Sequence, residues 1–210
     1  MAEPSLQHLG AAPFQHGALL PVLKDYRRPN DKIAEWLRQG VLVPIKRGLY
    51  IRSEAGRVPC LPLVANHLYG PSCVSLDYAL AWHGLIPERV HEITSVCTRR
   101  GCIIDNALGR FSYVRLPAQV YPWGIVQASA SAQETFLIAS PAKALCDKVL
   151  LTPRLRATTH AAMQRFLFED LRIDAGALRG LDLDTVRAYA AGGSKTAQLH
   201  ALLNCVEALQ

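Results

Sequence analysis

Apolar positions recur with a helical period between residues 31 and 39. At about 100° per residue, Ile33, Trp36 and Leu37 fall on one face, and Asp31, Lys32, Glu35, Arg38 and Gln39 fall on the opposite one. The flanks agree with a helix here. Pro29 disfavours helical backbone at Arg28, Asn30 is a residue type that caps a first turn, and Gly40 supplies a C-terminal stop. Two β-prone runs follow, 42–45 and 49–51, around Lys46-Arg47-Gly48; a three-residue loop with Gly at the left-handed position is a common hairpin connection. Upstream, Leu19, Leu20, Val22 and Leu23 predict a helix over 14–26 that walls the Ile33 face, with Pro21 tolerated only in a first turn. Residues 1–12 read as frayed. A helix followed by a hairpin with a basic tip is the layout of a winged helix-turn-helix.

Beyond a polar linker at 53–58 the pattern changes. Helices are expected at 61–68, ended by Gly70-Pro71, and from a Ser75 cap through Trp82 to Gly84. Strand character follows at 90–98, 110–116, 125–128 and 135–139. Ser140-Pro141 opens a helix over 141–150, a cap followed by Pro at the first helical position, with Ala144, Leu145, Cys146 and Val149 inward. The remainder reads as helices only, at 156–170, 183–191 and 194–209. Strands in the middle with helices after them predict an α+β fold rather than a repeated βαβ unit. The expected organisation is a DNA-binding module over 1–57 and a mixed α/β domain with a helical tail over 58–210.

Charge sharpens the first half of that picture. Lys24, Arg27, Arg28, Lys32, Arg38, Lys46, Arg47, Arg52 and Arg57 oppose only Asp25, Asp31, Glu35 and Glu54, so this stretch holds +5 of the +6 carried by 210 residues. A clustered basic surface is a footprint for phosphate backbones. Half the chain is hydrophobic, enough for a core. No secretory signal and no membrane-length apolar run is visible, so a soluble, cytoplasmic chain is expected. Six scattered cysteines lack the paired spacing of a zinc site, and reduced core thiols are expected, although Cys97 and Cys102 flank a turn and could approach.

Three ordered groups of residues carry a family resemblance. They are Tyr26 through Ile33 with Gly40-Val41-Leu42 and Lys46-Arg47-Gly48-Leu49-Tyr50-Ile51; Tyr69-Gly70-Pro71, Ser75 through Leu80 and His83-Gly84-Leu85-Ile86-Pro87; and Ile138 through Asp147. In this order and spacing the chain resembles the AbiEi family, the antitoxins of type IV toxin–antitoxin systems. The resemblance spans about residues 26–150. It implies an N-terminal winged helix on promoter DNA, repression of its own operon, and a C-terminal domain that counters a nucleotidyltransferase-like toxin without a stable complex. The chain has little before its winged helix, which leaves the full three-helix module open, and a solitary regulator without a toxin is the alternative. Carried over, the DNA-contacting set is Arg27, Arg28, Asn30, Lys32, Arg38, Gln39, Lys46 and Arg47. The helix face borders the major groove, where Arg and Gln read base edges, and the wing holds phosphate or reaches into the minor groove.

Enzyme chemistry finds weaker footing. Ser75, Asp77 and His83 share one predicted helix without a nucleophile elbow. Residues 192–196, GGSKT, lack the order of a phosphate loop and no strand precedes them, so a helix cap is expected. Asp105, Glu134 and Asp147 are loose candidates for a metal-dependent nuclease. No catalytic, metal or cofactor set is assigned. The rivals to a repressor are therefore a protein-interaction module with an incidental basic surface and, behind it, the nuclease.

Overall fold

The computed structural model describes residues 6–54, 56–192 and 194–210. The chain begins with a small three-stranded antiparallel sheet ordered β1-β3-β2, from β1 (Phe14–Gln15), β2 (Leu42–Lys46) and β3 (Leu49–Arg52), and one helix, α1 (Pro29–Arg38). Ile33, Trp36 and Leu42 pack with Leu6, Phe14, Leu19 and Leu23 into an apolar cluster beneath α1. The predicted period holds at Ile33 and Trp36, while Leu37 is only half-buried.

Three expectations for this region are corrected. Residues 14–26 do not form one helix: β1 is followed by a 3-10 turn, His16–Leu19, and further turns through 25. Pro21 and the pairing of Phe14 with Tyr50 explain this, since a strand partner competes for the segment's start and proline for its middle. Residues 6–12 are not frayed, because Leu6 is buried in the cluster; 1–5 lie outside the described residues. Asn30 is not the cap of α1. Pro29 takes the first helical position behind Arg28, which makes no side-chain capping bond.

The larger part is a six-stranded mixed sheet ordered β6-β7-β5-β4-β9-β8. Its strands are β4 (Ser72–Val74), β5 (Ile93–Cys97), β6 (Cys102–Asn106), β7 (Gly109–Arg115), β8 (Ile125–Ser131) and β9 (Glu134–Ala139). The β4–β9 and β5–β7 pairs are parallel and the others antiparallel. Helices α2 (Leu61–Leu68), α3 (Leu76–Trp82) and α4 (Pro141–Leu151) pack on the sheet. Four more, α5 (His160–Arg165), α6 (Ala175–Leu178), α7 (Leu183–Ala191) and α8 (Thr196–Glu207), complete the helical end. The mixed α+β architecture expected from the pattern is present. Strands β4 and β6 and the short α6 were not expected. The helix predicted at 156–170 starts at His160 and ends in a π-helical turn, Phe166–Asp170. Strand β7 lies between β5 and β6, opposing Arg115 to Cys97 and Tyr113 to Cys102. Two strand spacings, about 10 Å, exceed what a disulfide spans, so Cys97 and Cys102 do not approach.

One continuous core runs from Phe111, Ile138 and Leu145 to Leu202, and it also takes in Ile45, Leu49 and Ile51 of the N-terminal hairpin. The two parts thus share apolar contact through the hairpin's inner side. The boundary drawn at 57/58 falls in the loop before α2, beside Ala55, which lies outside the described residues.

Helix α4 holds the centre together by polar means that periodicity does not reveal. Lys143 and Asp147, one turn apart, are both fully buried, with Nζ and Oδ2 3.4 Å apart. Ser75 Oγ donates to Asp147 Oδ2 at 2.6 Å and Tyr189 Oη to Oδ1 at 2.5 Å. Lys143 Nζ donates to Tyr121 O at 3.0 Å and to Tyr189 Oη at 2.7 Å. Ser75 therefore does not cap α3 with its side chain; its hydroxyl belongs to Asp147. Ser140 does cap α4, accepting from Lys143 N at 3.2 Å. Gly124, at φ +69°, passes so close that a Cβ would stand 2.8 Å from Lys143 Cβ. Burial pushes the Asp147 carboxyl up against the pull of Lys143 and its hydroxyl donors.

Candidate nucleic-acid interface

The outward side of α1 forms a shallow groove of about 480 Å³ lined by Tyr26, Arg27, Arg28, Asp31, Lys32, Glu35 and Arg38. Four of the eight expected contact residues, Arg27, Arg28, Lys32 and Arg38, are brought together here. The groove is not uniformly cationic. Arg28 faces Asp31 at 3.8 Å, with both side chains open to solvent. Lys32 Nζ donates to Glu35 Oε1 at 3.0 Å while lying over the Trp36 ring, 5.7 Å from its centroid. Gln39 donates to the same Glu35 oxygen at 3.0 Å. The Lys32 hydrogen bond is the main reason Glu35 titrates below its ordinary range. Lys32 is thus half-buried against Trp36 rather than fully outward, with its side chain 14 % exposed. Asn30, Arg38 and Gln39 are exposed, and on the helical wheel Asn30 sits on the flank away from Lys32.

The hairpin tip carries the other two. Gly48 at φ +73° makes the turn, in the left-handed region the sequence requires there. Register shifts between Pro44 and Lys46, and His16 N donates to Gly48 O at 2.9 Å, tying β1 to the tip. Arg47 is exposed. Lys46 is exposed as a residue, but its ammonium donates to Leu68 O at the end of α2, 3.2 Å away. Asn106 Nδ2 donates to Ile45 O at 3.1 Å. The tip is therefore partly docked on the larger domain, and the expectation of two outward cations there is corrected to Arg47 outward and Lys46 engaged.

That docking brings in two arginines the sequence reading missed. Arg99 and Arg100, on the β5–β6 turn, are exposed. Arg99 lies over the Tyr69 ring, 5.0 Å from its centroid, and donates to Gly70 O at 3.3 Å; Tyr69 Oη donates to Arg100 O at 2.8 Å. Tyr69 follows Leu68, the acceptor for Lys46, so the turn neighbours the hairpin tip. The available signal was an Arg-Arg-Gly turn between two strand-like runs. Gly101 is required there, because a Cβ would stand 2.6 Å from Tyr113 O.

The enzyme-like groups are dispersed. Ser75 is held by Asp147, Asp77 pairs with Lys148 at 2.7 Å, and His83 Nε2 meets Ala139 O at 2.8 Å. Asp105 sits on edge strand β6, Glu134 on β9 beside Arg57 at 3.1 Å, and Asp147 in the core, so the three do not converge. Lys195 stands at the cap of α8 and donates to Val149 O and Thr152 O, closing the end of α4; Gly193 lies outside the described residues. Among the described residues no helix is long and apolar enough to cross a membrane.

No protein-family model matches the chain, and no curated protein matches it. Among solved structures, the chain is similar to the Rv2827c protein of Mycobacterium tuberculosis, at 17 % identity over 92 % of this chain and 76 % of that one, with a TM-score of 0.49.

Proposed function

We propose that the chain is a winged-helix DNA-binding repressor of the AbiEi antitoxin kind, with α1 as the helix set against the major groove and the β2–β3 hairpin as the wing. The observation that carries this reading is the groove on the outer side of α1, where Arg27, Arg28, Lys32 and Arg38 outnumber Asp31 and Glu35. Arg38 and Gln39, exposed near the helix end, have the chemistry to read guanine and adenine edges. Arg27, Arg28 and Arg47, with Arg99 and Arg100 beside the wing, supply phosphate contacts that set orientation rather than sequence. With turns in place of a helix over 14–26, α1 and the hairpin are the elements left to face DNA, and the hairpin is docked on the larger domain through Lys46 and Ile45.

The biological role follows from the ordered motifs between residues 26 and 150: repression of its own operon and neutralisation of a nucleotidyltransferase-like toxin by the C-terminal part, without a stable complex. A mobility-shift titration on its own upstream DNA, with and without magnesium, tests the first half. Shifted, intact DNA supports a repressor. Cleavage would point to the nuclease, and absence of any shift to an interaction module. Co-expression with a neighbouring nucleotidyltransferase-like protein tests the second half: restored growth supports the antitoxin role, and unrelieved toxicity or the lack of such a neighbour leaves a solitary regulator.

A further inference from the structure

We propose that β8 is a pairing edge for a second copy of this chain, joined by an antiparallel β8–β8 contact about a two-fold axis. The six-stranded sheet has two edges, and they differ. At β6, Asp105 stands 3.6 Å from Arg110, and Asn106 fastens the N-terminal hairpin over the strand's end at 3.1 Å. Charge and cover are how natural sheets keep an edge from pairing. Among the described residues, both are missing at β8. Its seven residues, Ile-Val-Gln-Ala-Ser-Ala-Ser, include no charged residue and no proline, and five of them are exposed. Val126 within it is exposed, as are Trp123 just before it and Leu137 on the neighbouring β9.

One guard does exist at β8. The register with β9 shifts between Ser129 and Ser131, a bulge beside the turn. It leaves 125–129 as a straight stretch of about 17 Å. Alternate residues of that stretch direct their N–H and C=O groups away from β9, toward any incoming strand.

The strand also suits itself as partner. In a two-fold pair centred on Gln127, each Gln127 meets its counterpart, Val126 meets Ala128 and Ile125 meets Ser129. Each large apolar side chain then faces a small one, in both directions. In such a pair only the central residue opposes its own copy, so a charge there would meet an identical charge, which is destabilising; Gln127 is uncharged, and no other residue of the strand carries a charge. The resulting interface is isologous and closed. The inference is independent of DNA binding.

Sedimentation of the full chain without DNA, across a concentration series, is the test. Wild type is expected to pass from monomer to dimer. Gln127 is exposed, so Gln127→Lys and Gln127→Glu are each expected to keep the wild-type melt and raise the dimer dissociation constant at least about tenfold, equivalent to about 1.4 kcal/mol. An equimolar mixture of the two variants is expected to restore a 1:1 dimer, since the central pair becomes Lys opposite Glu. Wild type that stays monomeric at all concentrations, a dimer indifferent to Gln127→Lys, or a mixture that fails to associate would each overturn the proposal. Dimers that form only with an added foreign strand would overturn it as well.

Discussion

Charged side chains obey opposite rules on two helices of this molecule, α1 and α4. On α1 they form short local pairs, Arg28 with Asp31 open to solvent and Lys32 with Glu35 partly covered by Trp36. On α4 a lysine and an aspartate are sealed away from water, held by Ser75, Tyr189 and the Tyr121 carbonyl. Surface pairs contribute little to stability and can be given up to a partner. A buried pair contributes little as a pair but is costly to break, because the survivor is left as an uncompensated charge. The first arrangement suits a binding face and the second a fixed scaffold.

Breaking the scaffold should produce the largest effect. Lys143→Met is expected to cost about 3–5 kcal/mol in a denaturant melt, with Asp147 left unpaired. Adding Asp147→Leu should recover part of that loss, because the orphaned charge is then gone. A Lys143→Met melt within about 0.5 kcal/mol of wild type, as for an ordinary surface change, would mean that the network is not sealed. Its pH dependence has a definite sign. The Asp147 carboxyl titrates above its unfolded value, so the native state binds the extra proton between the two values. Stability contributed at Asp147 therefore falls as pH rises through that window and is level above it.

Next comes the floor beneath the proposed binding face. Trp36 is 2 % exposed, and Trp36→Ala is expected to cost about 3–5 kcal/mol and to abolish DNA binding by loosening α1. If the melt were unchanged, the polar and apolar faces of α1 would have to be exchanged.

Hydrophobic periodicity located the floor but not the scaffold, for a physical reason. Ile33 and Trp36 announce themselves by spacing, and Ser140-Pro141 announces α4 by its cap. Lys143 and Asp147 carry no such signal, since their partners Tyr189, Tyr121 and Ser75 are distant in sequence and become neighbours only through the sheet order. Strand β4 was illegible because it has only three residues, fully buried, giving no alternation to read. The docking of Lys46 was illegible because its acceptor is a main-chain carbonyl, which every residue possesses. At 14–26, leucine content outweighed Pro21 in the reading, whereas in the fold proline and strand pairing prevail. The candidate site was legible as charge, in Arg27, Arg28, Arg38 and Arg47, and illegible where it depends on a second element, in Arg99 and Arg100.

The hairpin proposed as a wing supplies a smaller effect that separates two adjacent cations. Arg47→Ala is expected to weaken binding and lower the salt slope by about 0.9. Lys46→Ala should change the slope less, because its ammonium is already given to Leu68 O. Equal losses at the two positions would show that Lys46 leaves that carbonyl when DNA binds, and that the hairpin re-aims.

The smallest effect is read at Glu35. Its carboxylate lies in the middle of a groove proposed for phosphate, yet it is held by Lys32 and Gln39. Glu35→Gln is expected to leave the melt nearly unchanged and to tighten DNA binding, since one repulsive charge leaves the groove. In a carbon-13 titration of the side chain, the wild-type midpoint should lie below the ordinary carboxylate range, moved chiefly by the Lys32 hydrogen bond. Lys32→Ala should return it upward by more than Gln39→Ala does. A depressed folded value means the contribution to stability is present at neutral pH and fades as pH falls through that value, the reverse of the sign at Asp147. If Glu35→Gln weakened binding instead, the carboxylate would be accepting a hydrogen bond from a base edge such as cytosine N4, and the surface charge on α1 would be reading sequence as well as attracting phosphate.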